Sequence, residues 1–580
     1  MKFLELASAF NSLEQTTKRL EMTDILAELF KKADSENIDK IIYLLQSRIL
    51  PAFQGIEIGM GEKLVEQAIS KATGYSMNEI EKLYQKKGDL GLVAEELVEK
   101  KKQSSLMQRD LTVNHVYEIY LKMAKTSGSG SQDLKIKLLA ELLNNSSPLE
   151  AKYVARIPIG RLGLGVGNPT VLDALSVMSS GDKSLRERLE RGFNITSDLG
   201  LVARTFFEKG LEAVDHIEMK VNQPLLPSLC ERLPSAEEII KKLGKCAVEH
   251  KYDGIRLQMH KKGNSVKIYS RRQEELTPMF PDLAKAVNKF VNLENAILDG
   301  EAIAYNEITG EYLPFQQTIQ RKRKYDIEKM QKEFPMHVFF FDIMYNGKDL
   351  TNIPFVERRK ILEKTVNENE VLKLSDLIIT DSSEELTKYF SEAVSKGLEG
   401  IIAKDLNAPY TVGARKFSWI KLKRSYAGEL SDSVDVVIIG YYEGKGKRTQ
   451  FGFGGVLTAV YDNEDGLFKS IARVGSGFSE EQMREMKQML EKIKTDKKPK
   501  EIDSEVKPDY WVKPKYVIEV IADEITESPM HTAGKVKNIG YALRFPRILN
   551  YRLDKSPEEA TTVSEIIKMH KQQKRTELES

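Results

Sequence analysis

The chain has 580 residues, too many for one hydrophobic core and enough for three or four domains at roughly 150 residues each. At 41% hydrophobic and 30% charged residues it is not a disordered or collagenous protein, and no apolar run reaches the roughly 18 residues a spanning helix needs. Net charge is +2, so any surface for a polyanion is local, and two cysteines (Cys230 and Cys246) without a CxxC pair exclude a disulfide framework or zinc ribbon and suit a reducing cytoplasm. The start, MKFLELASAF, carries no cleavage context, so a secretory signal is not expected.

Proline marks the first change along the chain: four of nineteen lie before residue 221. That first third reads as amphipathic helices, with Leu4, Phe10, Leu13, Leu20, Ile25, Leu26 and Leu29, and later Leu138, Leu139, Leu142 and Leu143, at three- and four-residue spacings. KTSGSGSQD (125–133) is a loop, with Ser131 or Asp133 a candidate cap for the next helix. NQPLLPSLCERLPS (222–235) crosses into a region whose period changes to two. SVKIYSRR (265–272), NAILDGEAIAY (295–305), HVFFFDIMY (337–345), LEGIIAKD (398–405) and SWIKLKR (418–424) are candidate strands between charged helices. A second β-rich stretch runs from VDVVIIGYYEGKG (434–446) through GGVLTAVYD, FKSIARVGSGF and KYVIEVIADEI (515–525), and its Gly-rich turns suggest a small barrel before a charged C-terminal helix over 557–578. The expected domains are 1–221, 222–428 and 429–580.

The chemistry concentrates in the middle region. In EHKYDGIRLQMH (249–260) a lysine stands beside an Asp-Gly turn, and such a pair alone is more often a solvated surface turn than a nucleophile. A lysine nucleophile must shed its proton, and bringing an amine from about 10.4 to near neutrality takes about 4 kcal/mol from neighbouring cations and partial desolvation. Arg256, Arg271 and Arg272 follow closely. In WIKLKR, alternation puts Trp419, Lys421 and Lys423 on one face, and residues 415–424 hold five basic and no acidic side chains, which suits a phosphate. Asp299 and Glu301 likewise share a face, and Glu399 opens a nearly apolar strand. Carboxylates so placed meet an arginine, a ribose hydroxyl or Mg²⁺. FFFD (339–342) reads as core, although one of its rings could stack on a nucleobase.

Order and spacing decide among these readings. KYDGIR at 251, SRR at 270, DGE at 299, FFFD at 339, EGIIAK at 399 and WIKLK at 419 match the ordered motifs of the covalent nucleotidyltransferases, and YALRFPRILNYRLDK (541–555) resembles the final motif of ATP-dependent DNA ligases of the archaeal and eukaryotic replicative type. The resemblance covers the whole chain. It implies a multidomain architecture: an all-α N-terminal DNA-binding domain, an α+β nucleotidyltransferase (adenylation) domain and a C-terminal β-barrel of the OB-fold. It further implies Lys251 as the adenylated nucleophile, Glu249 near the adenine edge, largely through its main chain, and Arg256 and Arg271 on phosphate and nick. Glu301 would hold the ribose, Phe341 the adenine ring, and Arg415, Lys421 and Lys423 the triphosphate. Arg544, with Arg547 and Lys555, would close over ATP, while Glu301 and Glu399 would hold Mg²⁺. The implied partner is nicked double-stranded DNA, met in part by RIPIGRLGLGVGNPTVLDAL (156–175), and the implied working form is a cytoplasmic, nucleoid-associated monomer without membrane attachment.

Other stretches carry less. GRLGLGVG (160–167) and GYYEGKGKR (440–448) lack GxxxxGK[ST] and follow no βα unit, so they are a backbone approach to DNA and a barrel turn, not P-loops. RKRK (321–324) and the basic residues 445, 447 and 448 are candidate DNA-backbone contacts, a salt-dependent and sequence-independent kind of binding. The histidines form no HxxxH or HExxH, so no zinc site is expected. Where archaeal ligases often carry a sliding-clamp motif, QSSLM (103–107) keeps Gln103 but has Leu106 and Met107 in place of aromatic anchors, which weakens the hot spot. The alternatives to a ligase are an RNA ligase or capping-type enzyme, and a nick-binding protein without catalysis.

Overall fold

A computed structural model describes residues 1–101, 110–305, 312–313, 315–323, 325–396, 398–423, 433–444, 452–522 and 524–579. The Gln103–Met107 motif, Lys324 and the basic residues of 445–448 lie outside the described residues. Contacts group the chain into two compact units: residues 1–193, 198–217 and 495–501, and residues 194–197, 218–494 and 502–580.

The first unit is helical, and among the described residues twelve α-helices run from Phe3–Glu14 to Leu199–Asp215. Their ends are written locally. Ser76 and Glu79 form a capping box ahead of Met77–Lys87, which stops at Gly88 in the left-handed conformation (φ 68°), where glycine has no side chain to clash. Ser147 and Glu150 do the same for Pro148–Arg156, with proline in the first turn. The spacing of apolar residues placed Phe10, Leu13, Leu26, Leu29 and Leu138–Leu143 correctly in one core. Leu4 and Leu20 are exposed instead (43% and 68%), each one step off the buried stripe of its helix. Neither Ser131 nor Asp133 caps Ser131–Asn145. Its N-cap is Gly130 at φ 77°, so the helix begins one residue earlier than a serine cap would allow.

In the second unit two five-stranded sheets carry the middle domain. One has the order Leu229–Arg232, Arg415–Lys423, Gly400–Asp405, Cys246–Lys251, Leu377–Thr380. The other has the order Ser265–Ser270, Ile255–Lys262, Asn295–Ala304, Met336–Tyr345, Leu372–Leu374. The strand that ends in Lys251 is therefore an interior strand of the first sheet, and the next strand, beginning at Ile255, enters the second. A separate strand-rich C-terminal region pairs Tyr510–Val512, Val434–Tyr442, Gly455–Tyr461, Phe468–Val474 and Ile502–Asp503 in that order. Val517–Ile521 joins Val434–Tyr442 to Arg547–Tyr551. The expected single strand over 515–525 ends at Ile521, and Glu524–Ser528 forms a two-stranded ribbon with Gly540–Arg544. The final helix is Val563–Glu579, preceded by a 3₁₀ turn at Pro557–Glu559. RKRK is not one exposed patch: Arg321 is fully buried, donates to Met279 O at 2.7 Å and pairs with Asp282, because its guanidinium packs over Phe280.

Candidate nucleotide cleft

Lys251 is the last residue of its strand, and the chain turns away at once through Tyr252-Asp253-Gly254. A Cβ on Gly254 would lie 2.3 Å from Ala302 O, so only glycine lets the turn pass this close to the neighbouring strand. Opposite, Glu399 N donates to Lys251 O at 3.0 Å, and the lysine amine bonds to the Glu399 carboxylate. Gly400, at φ 149°, sits where a Cβ would strike Leu422 O at 2.1 Å, so the Glu399-Gly400 pair brings three strands together at the nucleophile. Burial alone would push the Glu399 carboxyl up. Lys251, Lys423 and Arg552 outweigh it and hold the group well below the usual carboxylate range.

The cleft that opens from Lys251 is lined on the middle-domain side by Arg256, Arg271, Glu301, Phe341, Ile402, Arg415, Trp419, Lys421 and Lys423. Strand alternation explains the selection. Trp419, Lys421 and Lys423 face the cleft while Ile420 and Leu422 pack behind the sheet. Phe340 enters one core, Phe339 stacks on Tyr252 at 3.9 Å, and Phe341 alone of the three rings reaches the cleft. Arg256 is fixed by a two-pronged bond to Asp299 (3.1 and 2.7 Å), by Ser228 O and by Tyr410, whose hydroxyl also donates to Asp299 at 2.6 Å. Glu301 shares that strand face. Burial pushes its carboxyl up to about 8, against the pull of Lys251 and Arg256. Lys421 is held well below its ordinary range by burial and by Arg232, Lys423 and Lys555.

The C-terminal region supplies Asp435, Arg552, Asp554, Lys555, Glu559, Thr561 and Glu565 to the same cleft. Two of its glutamates are used in the same way. Glu559 Oε2 accepts from Ser556 N, closing the capping box of the 3₁₀ turn, while Oε1 takes Arg271 Nε at 2.7 Å. Glu565 Oε2 accepts from Thr562 N at the start of the last helix, while Oε1 takes Arg415. Lys555 pairs with Asp435, and Arg552 forks onto Asp554 at 3.0 and 2.9 Å. Counted together, the lining holds eight lysines and arginines against five carboxylates, a surplus that suits a polyphosphate.

Four expected residues are not part of this lining: Glu249, Glu399, Arg544 and the exposed Arg547. The Glu249 side chain lies below the lining, held by Lys404 (2.5 Å) and Arg359 (3.3 Å), because its strand step puts it one layer deeper than Lys251. Arg544 is 56% exposed on the ribbon and pairs with Glu524 across it at 2.6 Å, outside the cleft. Glu399 is bound to Lys251 and Lys423, so it borders the cleft through them. Sequence reasoning did not single out Tyr410, Lys404, Glu559 or Glu565. The last two do carry a local signal: Ser556-x-x-Glu559 and Thr562-x-x-Glu565 read as capping boxes, which tells of a helix start and nothing of the arginine beyond.

An interior strand ending in lysine, an aromatic wall and a convergent cationic lining define the middle domain as a nucleotidyltransferase domain. Comparison with known proteins bears on the whole chain. Residues 2–176 match the family model "DNA ligase N terminus", 227–423 "ATP dependent DNA ligase domain" and 449–555 "ATP dependent DNA ligase C terminal region". The chain is 49% identical to a probable DNA ligase of Dictyoglomus turgidum, over all of this chain and 99% of that protein. It is 43% identical to a DNA ligase of Saccharolobus solfataricus (100% and 99% covered) and 42% identical to one of Nitrosopumilus maritimus (99% and 99%). The chain belongs to the ATP-dependent DNA ligases.

Proposed function

We propose that the protein seals nicks in double-stranded DNA in three transfers, in replication, repair and recombination. The Lys251 amine attacks the α-phosphorus of ATP and pyrophosphate leaves, giving lysyl-AMP. The AMP passes to the 5′-phosphate at the nick. The 3′-hydroxyl then attacks that phosphate, forming the phosphodiester bond and releasing AMP. What carries this reading is Lys251 at the mouth of a cleft whose surplus of cations could offset the charge that builds on transferring phosphoryl groups.

In this reading Phe341 stacks on adenine, Glu249 meets the base edge mainly through its main chain, and Glu301 holds the ribose. Arg256 and Arg271 hold phosphate and nick, and Arg415, Lys421 and Lys423 hold the triphosphate. Glu301 and Glu399 fit Mg²⁺: both carboxylates border the nucleophile, and a hard cation beside Glu301 would bring its raised carboxyl back to the ionised form. The ion, when bound, offsets negative charge on the phosphates. The C-terminal region, 429–580, is an OB-fold barrel in this reading, following an adenylation domain (222–428) and a helical DNA-binding domain (1–221). Arg544 would reach the nucleotide only when the barrel closes, and the barrel swings aside for DNA, a gating motion. The loop with Gly160, Gly163 and Gly165 at positive φ ahead of Asn168–Ser180 offers its backbone to DNA phosphate. Gln103–Met107 is a weakened clamp motif, the working form is a monomer, and the location is cytoplasmic. No described helix is long and apolar enough to cross a membrane.

The test is label transfer. The protein and its Lys251→Ala variant are incubated with α-phosphate-labelled ATP, GTP or adenylyl-labelled NAD and Mg²⁺, then run on denaturing gels. Label from ATP alone, absent in the variant, followed by sealing of a nicked duplex, is the expected result. Label from GTP would point to capping chemistry, and no label from any donor to a nick-binding protein.

A further inference from the structure

Below the cleft lining lies a lysine that none of the three transfers uses. Lys404 is on the central strand Gly400–Asp405, on the same face as cleft-lining Ile402, and is fully buried. Its cross-strand neighbours are Ala247 on one side and Trp419 on the other. The amine meets the Glu249 carboxylate at 2.5 Å and donates to Phe341 O at 3.0 Å. It also lies over three rings, 4.2 Å from the centroid of Trp419, 4.6 Å from Phe355 and 4.9 Å from Phe341.

A buried ion pair seldom stabilises a fold more than apolar side chains of the same volume would, because both charges must be taken out of water. Stability is therefore a poor reason for a lysine here, where a methionine would fill the same space. Its contacts indicate another reason, since they converge on the aromatic wall. Arg256 lies over two of these rings, 5.4 Å from Phe341 and 5.8 Å from Trp419, so two cations contact a T-shaped pair whose centroids are 6.0 Å apart. The chain that presents Phe341 is pinned on both sides. Lys404 holds the Phe341 carbonyl, and Arg358 grips the next side chain, Asp342, at 2.8 and 3.0 Å. A ring so fixed loses little freedom when a base stacks on it, and that gain appears as affinity.

We propose that Lys404 is a positioning residue for the donor nucleotide: acting through Phe341 and Trp419, it sets the wall on which the base stacks, and so governs affinity for ATP rather than the rate of phosphoryl transfer. The proposal rests on the reading of Phe341 as the base-stacking ring. Full-length Lys404→Met, Lys404→Arg and Phe341→Ala are compared with the unaltered protein for KM and kcat of Lys251 adenylylation, and for sealing of a nick already carrying 5′-AMP, which bypasses ATP. The expected result is a KM for ATP raised on the order of 10-fold in Lys404→Met, with kcat within about 3-fold and sealing of the adenylated nick within about 2-fold. Lys404→Arg, which keeps a cation under the rings, recovers most of the affinity. Equal losses in all three quantities, or an unchanged KM in Lys404→Met while Phe341→Ala raises it, would overturn the role of Lys404. An unchanged KM in Phe341→Ala would instead overturn the stacking reading. Should Lys404→Met fail to fold, Lys404→Met/Glu249→Gln removes both buried charges, and ATP affinity equal to that of the unaltered protein would sink the proposal.

Discussion

In the helical domain the Asp173 carboxylate is fully buried and receives Arg19, Lys183 and Arg186 at 2.9–3.1 Å. In the cleft Lys421 is half-buried, and this desolvation, together with surroundings that are chiefly cations, holds its pKa well below the ordinary range. Both clusters gather positive charge. In the first, three donors converge on one buried acceptor, and Lys183 and Arg186 keep 43% and 30% of their side-chain surface in water, which carries their remaining charge. The second carries more positive charge than its own carboxylates cancel, and the two capping glutamates that reach in, Glu559 and Glu565, each commit only one oxygen to it. The first arrangement contributes to the fold, whereas the cationic surplus of the second suits an anion. The same residue types thus serve stability in one place and binding in the other.

That contrast can be broken or sharpened by substitution. Asp173→Ala removes the buried acceptor shared by three cations, two of them partly in water, and should cost about 1–3 kcal/mol of stability. The readout is the urea midpoint of the helical domain, and adenylylation of Lys251 should be unchanged. Lys421→Met should do the reverse. It removes a half-buried amine crowded by other cations, so the unfolding temperature should hold or rise, while KM for ATP climbs on the order of 10-fold or more. If Lys421→Met destabilised the protein and left KM alone, the cleft would be a structural network like the first.

Glu301→Gln tests the burial of a cleft carboxylate through pH. The folded carboxyl titrates near 8 while the unfolded one titrates near 4.5, so the folded state keeps a proton that the unfolded state has lost between those values. Stability of the unaltered protein should therefore fall as pH rises across that window relative to Glu301→Gln, and the gap in melting temperature should widen to about pH 8 and then stay constant. Glu565→Gln should weaken a contact that competes for Arg415 and lower KM for ATP by about 2- to 5-fold, an effect that shrinks in high salt. Arg544→Ala removes only an exposed pair with Glu524 and should shift stability by less than about 1 kcal/mol in a thermal scan.

The sequence by itself determined which residues share a face. Period two put Trp419, Lys421 and Lys423 together and Asp299 with Glu301, and the Asp-Gly turn marked where the strand bearing Lys251 ends, since these follow from bonds a few residues long. Tertiary structure alone decided what each face meets. Glu399 and Lys251 are 148 residues apart and Arg271 and Glu559 are 288 apart, and nothing local says that they touch. For the same reason Glu249 could be placed on the strand of the nucleophile but not beneath the cleft with Lys404, Arg321 read as an exposed basic residue until Phe280 covered it, and nothing local shows that Arg544 pairs with Glu524 across a ribbon. Local chemistry sets conformation and facing, but charge pairing and burial depend on distant segments that only the packed chain brings together.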